Sequence, residues 1–303
     1  GRGRVLALDA LVPVVAPGNP VRRISLPQLA DVFAGRITNW AALGGPDAPI
    51  GLHLPLAGSG LAQAAEDQLM APAGRSLAPG VRRHSRSSAL ARAVTTDPFA
   101  IGIASFAETG TARPLVLTGP CGFTLAASRR SVKTEDYPLT APVFLYMPAR
   151  RLPKLVREFL AYTRSPAAQM VIRRAGFVDQ QPEEVPIADQ GARFANAIAR
   201  AGEEVSLSDL QRMVSVLTPY KRLTTSFRFE AGSSLLDAQS RSNVDQLAAA
   251  LESGVYDGRE IMFVGFSDGD GAAPVNQRIA MERAKAVERA VVAAARAADC
   301  SFL

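Results

Sequence analysis

This 303-residue chain is short of the residues that most often carry site chemistry, with two cysteines, two histidines and one tryptophan. Cys121 and Cys300 are too few for a disulfide framework and neither stands at metal-ligand spacing, so the expectation is two buried small side chains, with a bridge between them left open. His53 and His84 form no Ser/His/Asp set, and no Walker-type phosphate loop is present. The reading is therefore a protein that is not an enzyme and needs no metal and no cofactor. His53, in a strand-like stretch, is expected as a packed core histidine. No apolar run approaches the roughly 20 residues of a membrane span. The opening Gly1-Arg2-Gly3-Arg4 lacks the apolar core and cleavage site of a secretory leader, which points to a mature or trimmed form.

What the chain does have is apolar mass and an uneven charge. Hydrophobic residues make up 48% and charged residues 20%, the balance of a folded protein. At this length two domains are expected. Residues 1–180 hold 21 Lys and Arg against 11 Asp and Glu, whereas residues 181–303 hold 13 against 17. A basic part beside an acidic part again separates two units. The basic part favours small anions, cell-wall phosphates or nucleic acid. Its arginines are not interleaved with aromatic stacking platforms, so nucleic acid is not expected as a partner.

The densest pattern lies near the end. An apolar run, Ile261-Met262-Phe263-Val264, leads into Gly265-Phe266-Ser267-Asp268-Gly269-Asp270-Gly271, then Asn276, then Glu282-Arg283-Ala284. This places a carboxylate in a tight turn after a buried strand and a guanidinium on the first turns of the following helix. One fixed anion and one fixed cation suit a zwitterion, with Arg283 forking a carboxylate and Asp268 accepting an ammonium. The pattern closely resembles the OmpA-like peptidoglycan-binding domain, as does Phe227-Arg228-Phe229-Glu230-Ala231-Gly232-Ser233 with Leu235-Leu236 upstream. The resemblance implies that Asp268, Asn276 and Arg283 hold the diaminopimelate of a peptidoglycan stem peptide. The chain departs from the family at Phe266, Ser267 and Ile279-Ala280, none of which removes a charge from the pair. The family's further closing strand is expected to be missing here.

The first part alternates short strands and helices, the signature of an α/β unit. A strand over Val5–Ala16, broken at Pro13, runs into the turn Pro17-Gly18-Asn19-Pro20. Ser25 caps a helix that buries Leu29, Val32 and Phe33. A strand over Ile50–Leu56 enters Gly58-Ser59-Gly60 and a helix to Met70. The string Leu29-Ala30-Asp31-Val32-Phe33-Ala34-Gly35-Arg36-Ile37-Thr38-Asn39-Trp40 is very similar to PstS-type phosphate-binding proteins of ABC importers. Further markers, Ile101-Gly102-Ile103-Ala104 and Tyr137-Pro138-Leu139, follow in order. The resemblance covers about residues 5–178 and implies a partial type II periplasmic-binding-protein fold, with part of the first lobe missing. It makes Gly58, Ser59 and Gly60 candidate anion-binding residues, since helix-start amides and the helix dipole attract anions. Read as residues alone, they are equally a helix-start turn. No arginine precedes Gly58, where Pro55, Leu56 and Ala57 stand, and Leu61 replaces the family's threonine. Arg82-Arg83-His84-Ser85-Arg86 reads as a solvated loop, or else as a substitute source of positive charge.

The fold class is thus α/β with a following α+β domain. The expected division is a PstS-like domain over 1–180, a linker with connector helices over 181–225, and an OmpA-like domain over 226–303. A helix from Lys154 to Thr163 is expected to bury Leu155, Phe159 and Leu160. Together these features describe a periplasmic, wall-associated binding protein of a Gram-negative envelope. The alternative is a solute receptor for phosphate or another oxyanion that serves an ABC importer.

Overall fold

The computed structural model describes residues 2–119, 124–199, 205–230, 233, 235–267 and 272–299. Cys121, Cys300 and Asp268 lie outside the described residues. The chain divides into two compact units. The first takes Leu6–Phe144 and Ala167–Asp179, and the second takes the described residues of 1–5, 145–166 and 180–303.

In chain order the elements up to Asp179 are β1 (Arg2–Val15), β2 (Arg23–Ser25), α1 (Leu26–Phe33), β3 (Gly51–Pro55), α2 (Gly60–Ala65), β4 (Arg82–His84), α3 (Ser87–Thr96), β5 (Ala100–Ser105), β6 (Arg113–Pro114), β7 (Val116–Thr118), β8 (Thr124–Leu125), α4 (Arg129–Lys133), β9 (Thr140–Met147), α5 (Lys154–Tyr162) and α6 (Pro166–Arg174). The main sheet runs β4-β3-β5-β1-β6, with β9 also paired to β1. β3 is parallel to β4 and β5, and β1 is antiparallel to β5. Leu11, Val12, Val14 and Val15 of β1 and every residue of β5 are buried, as central strands covered on both faces require. Pro13 does not break β1: its carbonyl still accepts from the Leu115 amide at 2.8 Å, so only its missing N–H is lost from the ladder. Gly102 lets α3 settle on β5, because a Cβ there would stand 2.8 Å from both Leu90 and Val94. At α1, Ser25 and Gln28 form a reciprocal capping box, and Leu29, Ala30, Val32 and Phe33 face inward.

Two expectations are corrected here. Arg82–His84 is not a solvated loop but the edge strand β4, held to β3 in parallel register. On α5, Leu160 is buried, but Leu155 and Phe159 are 77% and 52% exposed. The helix turns its Leu160 edge inward, where Arg4 Nη1 donates to the Leu160 carbonyl at 3.2 Å, and the stripe through Leu155 and Phe159 faces out.

The remaining elements are β10 (Glu184–Val185), α7 (Gly191–Ala199), α8 (Leu207–Leu217), β11 (Arg222–Leu223), α9 (Ala238–Glu252) and α10 (Ala273–Asp299). The acidic stretch expected as a bare linker contains β10, which pairs antiparallel with β11, and Glu184 takes ion pairs from Lys221 and Arg259. α9 and α10 enclose a core of Val244, Leu247, Tyr256, Val287 and Val291, and Phe227, Phe229, Ile261 and Phe263 close over it. The strands expected at 227 and 261 form no named strand. Phe229 makes an isolated bridge to Leu236, and 261–267 forms no regular element.

Candidate functional site

The stripe of α10 that buries Val287 and Val291 continues toward the helix start through Arg283, Ala280 and Asn276, the spacing that keeps side chains on one helix face. A face otherwise made of Ala and Val therefore carries two polar side chains near its start, both half-buried. The stretch 261–267 crosses this face. A Cβ on Gly265 would fall on the Ala280 carbonyl oxygen, so only glycine permits the approach. The crossing, at Ala280, lies between Asn276 and Arg283.

Arg283 is held from one side by an aromatic ring, its Cζ standing 5.2 Å from the centroid of Phe229. That ring is fixed in turn by the Phe229–Leu236 bridge, by the Glu230 amide donating to the Leu235 carbonyl at 2.9 Å, and by packing at the edge of the core. The neighbouring Glu282 turns to Arg278 instead. Among the described residues no carboxylate is paired with Arg283. The arrangement thus places the Arg283 guanidinium over an aromatic ring, on the helix face that also carries Asn276. Sequence reasoning had not given Phe229 or Gly265 a role at the site. Both fall inside the strings that resemble the OmpA-like domain, but their residue types alone assign them no role.

In the first unit the C-terminal ends of the parallel strands β3, β4 and β5 lie together, where open α/β sheets usually bind ligands. Gly58 turns the chain there with φ of +79°. Ser59 caps α2, its Oγ accepting from the Ala62 amide at 3.2 Å, while its own amide donates to the Leu56 carbonyl at 3.0 Å. The Ser59 amide is thereby engaged within the turn and its hydroxyl oxygen serves as the cap, and the amides of Gly60 and Leu61 open the helix. Arg83, a possible source of positive charge, donates through Nη1 to the Pro55 carbonyl at 3.1 Å at the end of β3.

Two buried features lie in the same sheet. His53 Nδ1 and His84 Nε2 share a hydrogen bond of 2.9 Å between stacked rings. Burial pushes both imidazoles below the usual histidine pKa, with the charge of Arg82 acting in the same direction on each. His53 is therefore buried as expected, but as half of a pair. Asp9 accepts from Ser105 Oγ at 2.6 Å and from the Ala10 amide at 2.8 Å, and burial still holds its carboxyl above the ordinary aspartate range.

A central sheet with helices packed on it and a separate helical core describe a chain of two units, the first of α/β class. The chain belongs to the PBP superfamily: the PBP superfamily domain matches residues 2–167, more than half its length. An OmpA family domain matches residues 228–298. Among solved structures, the chain is similar to a phosphate ABC transporter substrate-binding protein with bound phosphate from Clostridium perfringens. That likeness has 23% identity and a TM-score of 0.53, over 59% of this chain and 71% of that one. It is also similar to an ABC-type phosphate transport receptor from Vibrio cholerae, with 23% identity and a TM-score of 0.49 over 58% and 72%. At 23% identity the Clostridium perfringens likeness bears on the fold alone. Among the described residues no helix is long and apolar enough to cross a membrane.

Proposed function

We propose that this chain is a non-enzymatic envelope protein that attaches to peptidoglycan through its OmpA domain and presents its PBP domain to a ligand or partner. The observation that supports the reading is the polar stripe of α10, with Arg283 oriented on Phe229 and Gly265 seating the segment that leads to Asp268. In this reading Arg283 forks the free carboxylate of diaminopimelate, Asp268 accepts its ammonium, and Asn276 hydrogen-bonds between them. The protein would then reside in the periplasm of a Gram-negative cell, bound to its wall. A soluble muropeptide carrying meso-diaminopimelate should compete with the wall for the protein, whereas the same muropeptide with lysine at that position, whose free end has an ammonium but no carboxylate, should compete poorly. Equal competition by the two would remove the basis for the assignment.

A second reading, a receptor for phosphate or another oxyanion feeding an ABC importer, draws on the bound phosphate of the Clostridium perfringens relative and on the Gly58-Ser59-Gly60 turn. It is the weaker of the two, because the Ser59 amide is engaged within its own turn and Arg83 is bonded to a backbone carbonyl. Calorimetric titration with inorganic phosphate should show no tight binding, and micromolar affinity would reverse the order of the two readings.

A further inference from the structure

A guanidinium can be fixed in two ways. A carboxylate partner engages its in-plane N–H donors and so competes with any ligand for them. An aromatic ring instead takes the flat face and leaves the N–H edge open. Among the described residues Arg283 has no carboxylate partner, and its Cζ stands 5.2 Å from the centroid of Phe229, within the reach of a cation–π contact. Phe229 is itself anchored by its backbone bridge to Leu236, by the Glu230 amide on the Leu235 carbonyl, and by the core beneath. The long side chain of Arg283 thus stands pre-oriented before any ligand arrives, which lowers the ordering cost of binding.

We infer that Phe229 is the positioning residue of the Arg283 fork, setting it for two-pronged capture of a carboxylate. The inference rests on the reading of Arg283 as the carboxylate-binding residue. Phe229 touches no ligand in this account and acts only through the guanidinium.

The test uses the full chain with arginine side chains labelled for NMR, and a soluble muropeptide carrying meso-diaminopimelate as the probe. Phe229→Leu should weaken muropeptide affinity roughly two- to fivefold, the worth of one partly exposed cation–π contact. It should also move the Arg283 Nε–H resonance downfield as the ring current is lost. Phe229→Tyr, which keeps the ring, should retain both the affinity and the shift. A merely structural Phe229 would not tie affinity to that resonance. Wild-type affinity in Phe229→Leu, or a loss in Phe229→Tyr equal to that in Phe229→Leu, would overturn the inference. Arg283→Ala separates the two levels. If it binds like wild type, the carboxylate-fork reading itself fails. If it loses binding while Phe229→Leu does not, only the positioning role fails.

Discussion

Removal of the Asp179 carboxylate should be among the costlier single changes in the first unit. Asp179 is fully buried and accepts from Lys133 Nζ at 2.8 Å and from Arg173 Nε and Nη2 at 2.6 and 3.1 Å, with Arg129 Nη1 at 3.5 Å. Lys133 is only 4% exposed, so in Asp179→Ala its ammonium loses this carboxylate while still shielded from water. Arg173, with 36% of its side chain exposed, can turn outward. Breaking such a buried pair from one side costs about 3–5 kcal/mol. That corresponds to a fall in Tm of roughly 6–20 °C for a unit of this size. Lys133→Met should cost less, about 1.5–3 kcal/mol, because Arg173 keeps its double contact with the carboxylate. The double variant Lys133→Met/Asp179→Leu should regain most of the stability lost in Asp179→Ala, since two apolar groups leave no charge stranded. Urea unfolding followed by circular dichroism at pH 7 measures all three. An Asp179→Ala loss below about 1 kcal/mol, or a double variant no better than the single, would refute the reasoning. The pH dependence follows the same contacts. Burial raises the Asp179 carboxyl, but hydrogen bonds and charge from Arg173 and Lys133 more than offset it, so the native pKa lies below the ordinary value. Its stabilising contribution is therefore present above the unfolded value of about 3.9 and is lost as pH falls below that through the native pKa.

Three further outcomes are expected. His53 and His84 have lowered pKa values, so the unfolded chain binds more protons near pH 6.5 and stability drops as pH falls below about that value. Thermal midpoints between pH 7.5 and 5.5 should show this, with a shallower slope in His84→Gln, and equal slopes would contradict it. Gly102→Ala should cost about 1–3 kcal/mol, because its Cβ would meet Leu90 and Val94 at 2.8 Å, and an unchanged urea midpoint would show that α3 yields freely. Gly265→Ala should push 261–267 off α10 and weaken wall sedimentation, and undiminished sedimentation would detach Gly265 from the site.

Features set by neighbours in the chain were legible in the sequence. The capping box at Ser25 and Gln28 depends on four successive residues, and the alternation of strands and helices in the first unit follows from hydrophobic period alone. The family strings around Trp40 and Gly265 were equally local. What was not legible depends on contacts distant in sequence. Periodicity showed that α5 has an apolar face through Leu155 and Phe159 but could not show whether another element covers it. β4 was hidden because an edge strand rich in arginine has the composition of a loop, and only its register with β3 makes it a strand. At the site, the residue types of Asn276 and Arg283 were readable, but the ring under Arg283 and the Gly265–Ala280 crossing join segments far apart in sequence.

The most direct measurement is co-sedimentation of the full chain with purified diaminopimelate-type peptidoglycan, beside Asp268→Ala and Arg283→Ala. The account predicts that the parent chain pellets with the wall and that each substitution leaves it in the supernatant while the protein stays folded. A parent chain that remains soluble, or variants that pellet as fully as the parent, would contradict it.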